Sequence, residues 1–150
     1  MLDRILDLFA GGPRRTAGDG DLQTAVAALL VEAARMNDRF DDSERRTIRE
    51  LLARHFGLDA AATARLLRAA ETAAQGSADL YRFVRRVTEE MDGEARVGLI
   101  EMLWEVVYAD GALDPQEDAL VRRIAGLVHV SDRDRGAARK RVVGRRGGSA

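Results

Sequence analysis

The side chains best suited to chemistry in this 150-residue chain are carboxylates gathered in two short stretches. One is "YADGALDPQE", Tyr108 to Glu117; the other lies 73 residues earlier and carries Asp41, Asp42 and Glu44. At that offset Leu30 falls on Leu103, Glu32 on Glu105, Asn37 on Asp110, Asp41 on Asp114, Glu44 on Glu117 and Arg49 on Arg122. Apolar partners match as well: Phe40 with Leu113, Ile48 with Val121, Leu51 with Ile124. Hard cations such as Ca²⁺ take several oxygen ligands, and carboxylates clustered at a turn supply them. The candidate metal ligands are Glu105, Asp110, Asp114 and Glu117 in the second copy and Glu32, Asp41 and Glu44 in the first. The expected cofactor is weakly held Ca²⁺ or another divalent cation. Gly111 and Leu113 follow Asp110 where the alternating ligands of D-x-D-x-D-G would stand, so this is no EF-hand. A composite site across the two turns fits the spacing better.

The same residues also read as the starts of helices, and from spacing alone that reading comes first. Asp114 at an N-cap accepts from a free backbone N–H, Pro115 needs no donor, and Glu117 can reach back to the cap; Asp41-Asp42-Ser43-Glu44 repeats the arrangement. Gly111 suits the left-handed stop of the preceding helix, and Asp38 is its counterpart. Capping leaves Asp110 and Glu105 unexplained. Glu105 and its counterpart Glu32 lie near the ends of their helices, where a carboxylate opposes the dipole unless it is paired. A cation or an arginine from a neighbouring helix would each satisfy them.

Nothing else in the chain has the spacing of an active site. Ser43, Ser77 and Ser131 stand at predicted helix starts, and His55 and His129 at predicted helix ends. "GGPRRTAGDG" lacks the GK[ST] ending of a phosphate-binding loop. Trp104 and Tyr108, one helical turn apart, read as core or as a partner-facing edge. The expectation is a non-enzymatic protein; only the acids themselves argue for a small metal-dependent enzyme.

Helices must position these groups, because apolar residues recur at helical spacing along nearly the whole chain and no stretch alternates with period two. The first stripe of the body is Leu22, Val26, Leu29, Leu30 and Ala33; the second is Ile48, Leu51, Leu52 and Phe56, closed by Gly57. Asp59 caps a third helix that stops at Gly76, and Ser77 a fourth with Leu80, Phe83, Val84, Val87 and Met91. Asp92 opens a long fifth, Asp114 a sixth, and "SDRD" (Ser131 to Asp134) a last helix ending near Val143. The fold class is therefore all-α, a bundle of about seven helices with two pseudo-symmetric helix–acidic turn–helix repeats. Residues 1–20 read as an amphipathic segment (Leu2, Ile5, Leu6, Phe9) and a Gly-rich linker, 21–143 as the helical domain, and 144–150 as a disordered basic tail.

Composition narrows the class further. Hydrophobic residues make up 46 % and charged residues 33 %, the balance of a globular chain. There is no cysteine, so disulfides, thiolate metal sites and thiol redox chemistry are all excluded, in keeping with a cytoplasmic location. The longest apolar run, Ala25 to Val31, is too short to span a bilayer, so no transmembrane segment is expected. Residues 135–150 carry six basic groups and no acidic ones, which leaves −7 on the rest of a chain of net charge −1. No aromatic residue is interleaved with these arginines, which disfavours nucleic acid as a partner. Nothing in the pattern sets the oligomeric state.

With its acidic turns and repeat, the sequence resembles the TerB-like family, named for the tellurite-resistance protein TerB. "DLYRFVRRVTEEM" (Asp79 to Met91), "LIEMLWEVVYADGALDPQEDALVRRIAGLVHVSDRDR" (Leu99 to Arg135) and "EAARMNDRFDDSERRTI" carry the likeness, which covers roughly residues 22–143. The first turn departs from the family's A-D-G pattern, with Met36-Asn37-Asp38 in its place. The resemblance implies an all-helical fold with an acidic surface. It implies stress responses, tellurite resistance among them, and a protein partner in membrane-linked or chaperone-linked complexes. Without cysteine, this chain has no thiol with which to reduce tellurite.

Overall fold

A computed structural model describes residues 22–37, 41–75, 80–109 and 115–146. Among them stand seven α-helices and no strand: α1 (Leu22–Ala34), α2 (Asp42–Phe56), α3 (Ala60–Gln75), α4 (Tyr81–Glu90), α5 (Gly93–Val107), α6 (Pro115–Leu127) and α7 (Asp132–Arg146). A short 3₁₀ turn, Arg35–Asn37, follows α1. The all-α expectation holds, with the number of helices anticipated for the body.

The centre of the molecule is α1. Ten of its thirteen residues are buried, so it has no solvent stripe and is apolar nearly all round. Its alanines let neighbours approach closely: α3 packs on it most extensively, then α4 and α5, with α2 and α6 completing the ring. The long α5 is the second inner helix, burying Leu99, Ile100, Met102, Leu103, Trp104, Val106 and Val107.

Helix ends follow the local chemistry. Asp59 Oδ1 accepts from the Ala62 N–H at 2.8 Å, Asp92 Oδ1 from the Ala95 N–H at 2.9 Å, and Ser131 Oγ from the Asp134 N–H at 3.1 Å, as their spacing predicts. Helix α4 differs. It opens after Leu80, whose backbone is already helical and whose side chain makes no cap bond; the expected cap, Ser77, lies outside the described residues. At the close of α2, Gly57 is left-handed (φ 65°) and the Leu58 N–H donates to the Ala53 carbonyl at 3.0 Å. After α6 the same left-handed place is taken by His129 (φ 63°), with the Val130 N–H on the Ala125 carbonyl at 2.8 Å.

The last helix corrects the sequence reading. It runs to Arg146 rather than ending near Val143, so Gly144, Arg145 and Arg146 belong to α7 and not to a tail. What extends it is pairing: the guanidinium groups of its last two turns meet carboxylates on α5, with which α7 makes its main contact. The amphipathic segment and linker of residues 1–20 lie outside the described residues, as does the rest of the tail.

At the 73-residue offset, burial agrees at most of the described positions, though Arg35 is exposed where Tyr108 is half-buried and Thr47 half-buried where Leu120 is buried. Leu30 and Leu103 are buried, as are Ile48 and Val121, Leu52 and Ala125, and the two acids Glu44 and Glu117. Glu32 and Glu105 are each half-buried, and Arg49 and Arg122 are both exposed.

Candidate functional site

The acid-bearing turns begin with α2. Asp41 has extended backbone (φ −87°, ψ 179°), and its Oδ1 accepts from the Glu44 N–H at 3.1 Å. The Asp41 N–H in turn donates to Glu44 Oε1 at 3.2 Å, which closes a reciprocal capping box. Glu44 is only 2 % exposed. Its counterpart Glu117, in the first turn of α6, is 1 % exposed. A carboxylate is seldom buried so completely without partners, since desolvation penalises its charge. The two turns thus share an acid tucked beneath a helix start. Asp110 and Asp114 lie outside the described residues.

Glu32 and Glu105 occupy matched places with different surroundings. Near Glu32, burial is the dominant influence and raises its pKa above the usual carboxylate range, with the Arg35 charge partly opposing it. Glu105 instead meets α7: the Arg145 Nη2 donates to its Oε2 at 2.7 Å, and Arg146 Nη1 stands 3.8 Å from Oε1. One turn back, Glu101 accepts from Arg141 Nε at 2.6 Å. The hydrogen bond to Glu105, followed by the charges of Glu105 and Glu101, holds the Arg145 guanidinium above its ordinary pKa. The arginine of a neighbouring helix, one of the two partners the spacing allowed, is what Glu105 has in this structure.

Sequence reasoning assigned Arg145 and Arg146 to a tail and passed over Glu101. The signal was present as two ladders of matched step, Glu101 and Glu105 on one helix and Arg141 and Arg145 on the other. The pairs ascend together because α6 returns the chain and α7 runs in the same direction as α5. The aromatic residues lie in the same seam. Trp104 is 1 % exposed, its indole Nε1 donates to the Arg135 carbonyl at 3.3 Å, and the Arg139 guanidinium lies over its ring at 5.8 Å. Arg139 Nε also donates to the Tyr108 hydroxyl at 2.8 Å. Trp104 is core rather than a cofactor platform.

Beside this seam runs an open groove of about 750 Å³ between α2, α5 and α7. Leu51, Met102 and Gly98 contribute to its lining, together with Glu50, Arg54 and His55 of α2 and Glu101, Glu105, Arg145 and Arg146. Burial lowers the His55 pKa, which disfavours its charged form. Among the described residues, no three His, Asp or Glu side chains stand together as a metal-holding group. Within that set, Glu32, Asp41, Glu44, Glu105 and Glu117 are not brought to one point.

A family model described as tellurite resistance protein TerB matches residues 23–140. The chain belongs to the TerB family. The match takes in all of α1 to α6 except Leu22, and α7 as far as Lys140, so both acidic stretches fall within it, while Arg141, Arg145 and Arg146 of the α5–α7 seam lie beyond its end. No curated protein and no solved structure shows a significant match to the chain. No helix among the described residues is long and apolar enough to cross a membrane.

Proposed function

We propose that this TerB domain is a non-enzymatic module of a tellurite, oxyanion or envelope stress response. It engages a partner protein, and weakly a divalent cation, through its acidic turns. The observation that carries this reading is the matched burial of Glu44 and Glu117. A helix cap needs only a solvated acid, whereas each of these two is held almost wholly out of solvent at the start of its helix, Glu44 in a reciprocal bond with Asp41. Among the described serines, Ser131 caps α7 and Ser43 donates to Asp41, so both have structural roles at helix starts.

A second reading, a helical scaffold whose acids only cap and pair, is favoured by the capping box at Asp41 and the α7 pairs at Glu105. Thermal unfolding separates the two. Wild type and Asp110→Asn are melted with Ca²⁺, Mg²⁺, Mn²⁺ or Zn²⁺ and with chelator. Cation binding at the turn raises the wild-type midpoint with concentration, by roughly 2.7 kcal/mol of stability at one hundred times Kd, and the variant loses the rise. No shift with any ion at millimolar concentration leaves the scaffold reading.

A further inference from the structure

Helix α7 is held to the body by a different kind of contact from the other helices. Of its fifteen residues only Ala138 and Val142 are buried, both of modest size, while α1 buries ten of thirteen. Beside Ala138, Val142 and the contact of Trp104 with Arg135 and Arg139, its grip on α5 is ionic and polar: Arg141 on Glu101, Arg145 on Glu101 and Glu105, Arg146 on Glu105, and Arg139 on the Tyr108 hydroxyl. Such contacts are specific in geometry and modest in strength, and they are screened by salt.

The connection to α6 is short and carries a residue in an unfavourable conformation. Val128 is buried on one side and Val130 on the other, and between them His129 takes φ 63° with a side chain that is not glycine's. An extended backbone at His129 would relieve that strain and carry α7 away from its own α5. A short strained hinge before a helix that buries few residues is the arrangement that invites exchange between copies.

We infer that α7 is exchangeable: a second copy of this chain seats its own α7 on the acidic face of α5, giving a reciprocal dimer in which every α5–α7 contact is re-formed across chains. The occupant is set by charge complementarity, because the Glu101–Glu105 ladder takes a helix with arginines four residues apart, and α7 is such a helix. The exchange is independent of what the acidic turns bind.

Two measurements test it together. Concentrated wild-type chain is held just below its melting midpoint, cooled and diluted. Exchange predicts a species of twice the chain mass that persists on dilution, with the emission of Trp104, the sole tryptophan, unchanged. In the second, a Glu101→Arg, Glu105→Arg chain is mixed with an Arg141→Glu, Arg145→Glu chain. Each alone should keep its helicity but show red-shifted Trp104 emission, since its own α7 is repelled. The mixture should recover wild-type emission and run at twice the chain mass. Wild type that stays monomeric overturns the proposal, whatever the variants do. A wild-type dimer with no pairing of the variants, or pairing without recovery of the emission, also overturns it, because the dimer then forms by another surface.

Discussion

The hairpin of α1 and α2 and the hairpin of α5 and α6 share a buried frame and differ at one acid. Leu30 and Leu103, Ile48 and Val121, and Glu44 and Glu117 are buried alike. Glu32 and Glu105, half-buried at the same place, are not treated alike: Glu32 is dominated by desolvation, which among the described residues the Arg35 charge partly opposes, whereas Glu105 has Arg145 and Arg146 of α7. A carboxylate near a helix end needs a cation, and the fold supplies a helix bearing one to the second copy. The lesson is that apolar periodicity sets the shared frame, while a later helix decides what each copy's surplus acid does.

The largest expected difference lies where α7 lands. Trp104 corresponds to Val31 in the first copy. Trp104→Ala should cost about 3–5 kcal/mol, and Val31→Ala about 2 kcal/mol, from two methyl groups at about 0.8 kcal/mol each plus a small cavity. Urea denaturation measures both, and equal losses would mean that the α5–α7 seam adds no depth to the second copy.

The buried acids should behave as twins. Glu44→Ala and Glu117→Ala are each expected to cost about 1–3 kcal/mol, because each removes a fully buried side chain together with the polar interactions it makes at a helix start. Costs that differ by more than about 1 kcal/mol would break the equivalence of the two turns.

At the surplus acids the signs should diverge. Glu105→Gln should destabilise by up to about 1 kcal/mol, less in high salt. Glu32 goes the other way. Its folded pKa is raised, so the folded state binds its proton more tightly than the unfolded chain does. Its unfavourable contribution is present in full above the folded pKa and fades as pH falls towards the unfolded value. Glu32→Gln should therefore raise the melting midpoint at pH 7, and that gain should shrink on acidification. A midpoint difference that is flat with pH would contradict the desolvation account.

The smallest effects are expected at the two left-handed helix ends. Gly57→Ala should cost about 1 kcal/mol for its backbone conformation alone, since an added Cβ meets nothing within 4 Å. His129→Gly should gain a similar amount. A loss there would show that the His129 side chain contributes more than its backbone strain costs.

The frame was legible because its causes are local. Periodicity marked the helices, and Asp59, Asp92, Ser131 and Gly57 act at the ends where their chemistry puts them. The capping box of Asp41 and Glu44 was legible from four consecutive residues. The end of α7 was not. "GRRGGSA" has the composition of a frayed end, and what keeps Arg145 and Arg146 helical is Glu101 and Glu105, 40 or more residues away in sequence. The burial of Glu44 and Glu117 was hidden for the same reason: a capping acid looks alike in sequence whether solvent or core lies behind it.

The most direct test of the account is a double-mutant cycle between Glu105 and Arg145, with Glu32 and Arg145 as the control. The seam predicts a coupling of about 0.5–1 kcal/mol for Glu105→Gln with Arg145→Gln, and additivity within about 0.3–0.5 kcal/mol for Glu32→Gln with Arg145→Gln. Additive behaviour at Glu105 would contradict it, because α7 would then not be what distinguishes the two hairpins.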